Sequence, residues 1–502
     1  MARRLAPDPS RAPGPIDDDL DPTPLLDAVE AARGDMVDLD HGEVVEPDEL
    51  RRTIEELERT FRAGGLGPGD RTVMAVGNGP LFLATLVAII RAGGSPLLLH
   101  ADTPASEVAR TAERFGATFA VGDALEPAEL RAVGLVGREF SCRRWAGGLL
   151  ARAERMPTDG PGTPALAGVP LHPTGGTTGE PKLAVRPGAA ALAEARHYID
   201  TIGITEDDAV LCTIPMSHAY GFGMCVMVPL LSGATVRSMR RVTAGGVIGA
   251  LVEGSVTVYP SMPATLQLLL ATADEAFSLP RCLTTAGTPL PERVAAQVAE
   301  RWGATVRPLY GTTETGGISV ATPDRDPSEP RSVGPPMDGV SIRIEPLPDL
   351  ETVEEGVGRL LIGSSSMMAG YLSPTGVDRS AVATGWFETG DLASLDEAGN
   401  IVLRGRASDV INSSGHKVLP GEVEAVIALL PEVVEVKVYA APNRWGTNSV
   451  KAAVVVKNGM TAADVRAHCK RHLVGYKQPE QVVLLEKLPR SPAGKILAAK
   501  LP

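Results

Sequence analysis

"RTVMAVGNGPLFLATLVAIIRAGGSPLLLH", residues 71–100, decides the fold. "RTVMAVG" is a short apolar run bounded by glycine and reads as a buried strand. "PLFLATLVAIIRAGG" is long enough for a helix, and "SPLLLH" reads as the next strand. Two apolar strands joined through a helix form a βαβ unit, whose parallel sheet must be covered on both faces. The same rhythm extends outward. Leu50, Ile54, Leu57 and Phe61 fall at helical spacing and "GGLGPGD" turns, while "PASEVARTAERFG" reads as a helix and "ATFAVG" as a strand. Strand–helix alternation resumes at "SVTVYPSMPATLQLLLATA" and "RCLTTAGTPLPERVAAQVAERWG". From about 333 to 404 it gives way to short strands and turns, and residues 409–502 read as a small α+β domain. The expected fold is therefore α/β. A large N-terminal domain (23–404) would carry layered βαβ sheets and a β-rich part (333–404), followed by the small C-terminal domain.

A chain of 502 residues is too long for one core, so two or three domains are expected. With 44% hydrophobic and 22% charged residues it has the composition of a soluble globular protein. A net charge of −13 argues against nucleic acid as a partner, because a phosphate backbone needs a basic face. The five cysteines, Cys142, Cys212, Cys225, Cys282 and Cys469, are odd in number and form no CxxC pair. That points away from disulfides and zinc and towards a reducing compartment, the cytoplasm. Residues 1–22 are rich in proline and aspartate, lack the apolar core of a signal peptide, and read as a disordered tail. The longest apolar run, "LFLATLVAII", is about half of a membrane span.

"LHPTGGTTGEPKLAVR", residues 171–186, suits neither helix nor core. Glycines let a backbone approach a ligand and aim successive N–H groups at one anion. Threonines add hydroxyl donors, and Lys182 adds charge. The combination suits a triphosphate. The Walker arrangement, with glycine directly before the lysine, is not met, since Glu180 and Pro181 stand between Gly179 and Lys182. Read alone, the stretch serves a phosphate or forms a plain surface loop with equal ease.

"TGGTTGEPK" resembles the phosphate loop of the adenylate-forming superfamily, which includes acyl- and aryl-CoA ligases. "LYGTTETGG" (309–317), "GWFETGDLASLDEAGNIVLRGRASDVINSSGHKVLPGEVE" (385–424) and "PRSPAGKI" (489–496) resemble its later signatures, in the same order. The resemblance spans roughly residues 45–500. It implies ATP, Mg²⁺ and CoA as cofactor and co-substrates, and an acid activated as its adenylate.

The resemblance also implies site residues. Thr174, Gly175, Gly176, Thr177, Thr178, Gly179, Lys182 and Thr313 would hold phosphates. Glu314 would bind Mg²⁺, for which one carboxylate plus phosphate oxygens is a fitting donor set; otherwise it is a solvated turn residue. Gly287, Thr288, Tyr310, Gly311 and Thr312 would line the adenine, although Tyr310 alone reads equally as a core aromatic. Asp391, a turn or cap residue by default, and Arg406 would grip the ribose. Lys495 is implied as the catalytic cation that bridges carboxylate and α-phosphate from a mobile C-terminal domain, where a long flexible point charge is needed. The hinge falls at residues 405–408, and Ser408 departs from the aspartate or lysine usual in relatives. In "SSGHKV", Gly415 would line the pantetheine tunnel and Lys417 would touch phosphate.

"PMSHAYGFG" (215–223) resembles the segment lining the acyl pocket, with His218, Tyr220 and Gly221. His218 would lie near the substrate carboxylate, or else be a structural histidine. No aspartate stands in this segment to pair an α-amine, which argues against an amino acid. Three functions compete: a CoA ligase for an aryl or medium-sized acid; an enzyme passing its adenylate to a carrier protein, amine or small nucleophile in trans; and a non-catalytic nucleotide binder. The retained Glu314, Asp391, Arg406 and Lys495 oppose the third. A monomer or homodimer is expected.

Overall fold

In the computed structural model the opening stretch folds as strand Arg71–Ala75, helix Pro80–Arg91 and strand Ser95–Leu98. The strands pair in parallel with Val73 opposite Leu97. From Phe82 to Ile90 every helix side chain is buried, so this helix lies in the interior and does not float on the surface. Its exit is tight: Gly93 has φ +92°, and a Cβ there would fall 2.8 Å from the Pro68 backbone. The structure describes residues 20–140, 148–153, 166, 168–174, 181–273, 279–325, 329, 331–347, 356–373, 375–413, 416–442, 448–457, 459–490 and 496–502. They form two units, Met1–Ser341 with Ile362–Phe387, and Ile342–Leu361 with Glu388–Pro502.

Two sheets organise the first unit. The nine-stranded one runs Gly376–Asp378, Gly370–Ser373, Lys182–Val185, Leu171–Thr174, Ser95–Leu98, Arg71–Ala75, Phe119–Gly122, Gly148–Ala153, Leu135–Phe140. The eight-stranded one runs Gly316–Val320, Val306–Thr312, Cys282–Thr285, Val258–Ser261, Ala209–Cys212, Thr235–Ser238, Met36–Asp38, Glu43–Val45. Its six central strands are parallel, with an antiparallel strand at each edge. Helices Pro263–Thr272 and Glu292–Trp302 bury Leu266, Leu269, Val294 and Val298 against Leu211, Tyr259 and Leu283 of this sheet. Each such side chain stabilises by about 1.5–3 kcal/mol. Helix Pro47–Ala63 buries the expected Leu50, Ile54, Leu57 and Phe61.

The second unit holds most of a four-stranded sheet ordered Val340–Pro346, Gly358–Ser364, Phe387–Leu395, Ile401–Arg406. Beyond it come the hairpin of Ile411–Ser413 and His416–Val418, and a three-stranded sheet of Val433–Pro442, Asn448–Val456 and Gln481–Leu484. Helices Pro420–Ala428 and Ala462–His472 share one core with these strands through Val423, Ile427, Val465 and Cys469. Thr461 and Asp464 close a capping box on the second helix. The expected α/β architecture with a smaller C-terminal part is what the chain adopts. Among the described residues no helix is long and apolar enough to cross a membrane.

Candidate active site

Strands Leu171–Thr174 and Lys182–Val185 form an antiparallel hairpin with Thr174 opposite Lys182. The loop therefore leaves and re-enters the sheet at one point. Gly175, Gly176, Thr177, Thr178 and Gly179 lie outside the described residues. On the other side of the hairpin, strand Gly370–Ser373 pairs with Lys182–Val185 and sets Tyr371 opposite Ala184. The Lys182 ammonium stands 4.7 Å over the Tyr371 ring. The Tyr371 hydroxyl donates to Glu314 Oε1 at 2.8 Å. Burial first, and the Glu314 carboxylate second, push the phenol well above its ordinary range, so it stays a proton donor. The fold thus joins two expected residues, Lys182 and Glu314, through a third that no local sequence signal marks.

Glu314 sits in the turn between strands Val306–Thr312 and Gly316–Val320. The turn is tied internally, Thr315 N donating to Thr312 Oγ1 at 3.2 Å. Met368 N donates to the Glu314 carbonyl at 2.7 Å. A Cβ on Gly311 would lie 2.5 Å from the Gly316 carbonyl oxygen, so this crossing requires glycine. Beneath it is a buried ion pair: Arg186 Nη2 to Glu194 Oε2 at 2.9 Å, both side chains 1% exposed. Glu194 Oε1 accepts from Gly317 N at 3.0 Å. Arg186 also donates to the Ser366 carbonyl at 3.1 Å, and Ser366 Oγ to the Thr315 carbonyl at 2.7 Å. One buried pair therefore fixes the lysine-bearing strand and the glutamate-bearing turn together. His172, with its ring edge against Phe222, is held neutral, its pKa pushed well down chiefly by burial.

In open parallel sheets, ligands bind beyond the carboxyl ends of the strands. Gly287 and Thr288 follow strand Cys282–Thr285, and Tyr310, Gly311 and Thr312 end the neighbouring Val306–Thr312, with Thr313 next. Gly287 has φ +89°, a conformation that favours glycine. The 215–223 segment follows strand Ala209–Cys212 of the same sheet. His218 is exposed and caps helix Ala219–Gly221, accepting from Tyr220 N at 3.4 Å. Tyr220 is buried and its hydroxyl is bound to Thr284 Oγ1 at 2.9 Å. A Cβ on Gly221 would fall 2.1 Å from the Pro215 carbonyl oxygen. A π-helical turn, Phe222–Met227, follows; such turns concentrate at functional sites.

In the second unit Asp391 and Arg406 are register partners on adjacent strands. Arg406 Nε meets Asp391 Oδ1 at 2.8 Å and another of its nitrogens donates to the Thr389 carbonyl at 3.0 Å. The two expected ribose contacts are thus one ion pair. Ser408 is exposed in the turn Ala407–Asp409 and donates to Asp409 Oδ1 at 3.1 Å. Lys417 lies half-buried in His416–Val418, opposite Asn412. Gly415 and Lys495 lie outside the described residues, although Arg490 and Ile496, on either side of the latter's segment, form an antiparallel bridge.

Among the described residues no group of three or more His, Cys, Asp or Glu could hold a metal by itself. The donor at hand is the Glu314 carboxylate, one hard oxygen ligand beside a cation and a hydroxyl. That set fits Mg²⁺ carried in by phosphate oxygens.

These features define an α/β enzyme built to take a nucleotide. Residues 35–372 match the family model of the AMP-binding enzyme, and residues 422–495 that of the AMP-binding enzyme C-terminal domain. The chain belongs to the AMP-binding enzyme family. It is 30% identical to an indoleacetate–CoA ligase of Aromatoleum aromaticum, covering 89% of this chain and 91% of the relative. It is also 30% identical to a feruloyl-CoA synthase of an Amycolatopsis species, over 90% and 92%. Among solved structures, ATP-bound MatB from Rhodopseudomonas palustris superposes with TM-score 0.79 at 24% identity, covering 95% and 97%. MenE from Bacillus subtilis with AMP gives 0.78 at 24%, covering 96% and 98%, which shows the shared fold.

Proposed function

We propose that the chain is an ATP-dependent, AMP-forming ligase that joins an aryl carboxylic acid to CoA. The acid's carboxylate attacks the α-phosphorus of ATP, giving acyl-adenylate and pyrophosphate. The CoA thiolate then attacks the acyl carbonyl, forming the thioester and releasing AMP. Two anions must meet in the first step, so the barrier falls when cations and donors gather charge on phosphate oxygens. In this reading Lys182, Thr174, Thr313 and residues 175–179 bind phosphates, and Lys495 bridges the acid and the α-phosphate. Gly287, Thr288, Tyr310, Gly311 and Thr312 hold the adenine. Asp391 and Arg406 take the ribose hydroxyls. Glu314 would hold Mg²⁺, whose charge neutralises the leaving pyrophosphate. His218 borders the acid, Lys417 touches phosphate, Gly415 lines the passage for CoA, and residues 405–408 form a hinge ahead of a C-terminal lid.

The observation that carries the reading is the union of Lys182 and Glu314 through Tyr371, in a chain whose family binds AMP. The aryl preference is supported by relatives named for indoleacetate, ferulate and 2-succinylbenzoate. The four described cysteines are free and buried, which suits a cytoplasmic site. The test is to incubate enzyme, Mg·ATP and indoleacetate, ferulate, 2-succinylbenzoate and aliphatic acids, with and without CoA. Acid-dependent pyrophosphate exchange, with thioester only when CoA is present, is expected. Exchange without thioester would move the acceptor to a carrier protein, an amine or another nucleophile. No exchange with any acid would sink the reading.

A further inference from the structure

Tyr371 has no place in the chemistry above, yet it touches both groups that would handle the triphosphate. Its ring lies under the Lys182 ammonium at 4.7 Å and its hydroxyl donates to Glu314 at 2.8 Å. A lysine and a glutamate that share one neighbour attract each other and could close into a direct ion pair. Among the described residues they do not, since no N–O contact within 4.0 Å joins them. The ring offers its negative face to the cation and its hydroxyl edge to the carboxylate, so one side chain engages both groups at different places. Asp378, held low first by hydrogen bonds from Ser380 and last by the Lys182 charge, stands opposite Tyr371 in the next strand pair. The phenol occupies one lone pair of Glu314 Oε1 and leaves Oε2 to other partners.

We propose that Tyr371 is a positioning residue for adenylation: its ring face holds Lys182 while its hydroxyl aims the Glu314 carboxylate, so that cation and carboxylate meet Mg·ATP as separate groups. This rests on the ligase reading. A direct Lys182–Glu314 pair would cancel the charge meant for phosphate and take the oxygen meant for the metal. The strand register explains why the geometry holds: Tyr371 opposite Ala184 puts the ring beside the lysine-bearing strand without relying on the loop.

The test uses full-length Tyr371→Phe, Tyr371→Leu and Tyr371→Leu/Glu314→Gln, with folding checked by thermal melting. Calorimetry measures ATP binding across a Mg²⁺ titration. Tyr371→Phe keeps the ring and loses the hydroxyl, so the Mg²⁺ needed for half-maximal ATP binding should rise about tenfold, the usual cost of losing a group that orients a metal ligand. ATP binding without Mg²⁺ should stay unchanged. Tyr371→Leu should also weaken Mg²⁺-free binding, and Glu314→Gln in that background should restore it by releasing Lys182. Thioester formation from synthetic acyl-adenylate and CoA, which uses no Mg·ATP, should match wild type in Tyr371→Phe. If Tyr371→Leu fails to fold, Tyr371→Phe decides alone. A wild-type Mg²⁺ titration in Tyr371→Phe, or equal losses in both half-reactions, overturns the proposal. Absence of Mg·ATP binding by the wild-type protein overturns the ligase reading as well.

Discussion

Asp391 and Arg406 illustrate how one contact can matter little to stability and much to binding. The carboxylate is buried but the guanidinium side chain is 46% exposed, and water screens such pairs to about 0–1 kcal/mol. The pair instead aims Asp391, whose backbone N–H is held by Thr389 Oγ1 at 3.1 Å. Asp391→Asn should lower kcat/KM for ATP about 10- to 100-fold, the worth of charge-assisted hydrogen bonds to ribose, while Tm falls by only a few degrees. A large fall in Tm with unchanged ATP kinetics would make Asp391 a fold residue. His218 is exposed and its cap bond is long at 3.4 Å. His218→Ala should therefore reorder acids by kcat/KM and spare the KM for ATP; a uniform loss across acids would remove it from the selective wall. Individual residues were unevenly legible. Lys182, Glu314, Asp391 and Arg406 stand inside dense motifs, whereas Tyr371 in "MAGYLS" carries no local mark and gains its place through strand pairing.

At the level of elements, the alternation of apolar strands and helices in 71–122 gave the parallel sheet directly, because burial of both faces removes polar positions from the strands. What periodicity could not supply was which distant strands pair. The addition of Gly370–Ser373 to the hairpin of Lys182 is such a case. So is the Arg186–Glu194 pair, which reads in sequence as two ordinary charges. Glu194→Ala should destabilise the first unit by about 3–5 kcal/mol, since it strands a buried guanidinium. Arg186→Met/Glu194→Leu should cost less than Glu194→Ala alone, measured by urea unfolding. A double variant as damaged as the sum of both singles would show that the two side chains act independently and not as a pair. Acid stability rests on another tie, Arg281 to Asp208 at 2.7 Å. Burial raises the Asp208 carboxyl, but hydrogen bonds from Arg281, Thr257 and Thr205 outweigh it and bring the group to about 2 from 3.8. A depressed folded-state value stabilises above the unfolded value and is lost as pH falls through the folded one. Arg281→Gln should therefore make unfolding between about pH 4 and 2 begin at higher pH. An identical acid titration would remove Asp208 from acid stability.

For the molecule as a whole, the proposed reaction has two half-reactions with opposite demands. Adenylation brings two anions together and needs an added cation. Thioester formation starts from an adenylate whose pyrophosphate has left, and needs a passage for pantetheine. We assign Lys495 to the first and Gly415 to the second. Their motifs follow the "GRASD" segment, and the hinge we propose there would let one C-terminal part serve both steps in turn. Lys495→Ala should cut acid-dependent pyrophosphate exchange by about 10²–10³, the value of one preorganised charge in a transition state. Given synthetic acyl-adenylate and CoA, the same variant should form thioester at near the wild-type rate. Gly415→Leu should do the reverse, because a side chain in the passage obstructs the thiol and leaves ATP chemistry untouched. If Lys495→Ala slows both half-reactions equally, one arrangement serves both steps and the alternation is wrong. If Gly415→Leu leaves thioester formation intact, CoA reaches the adenylate by another route.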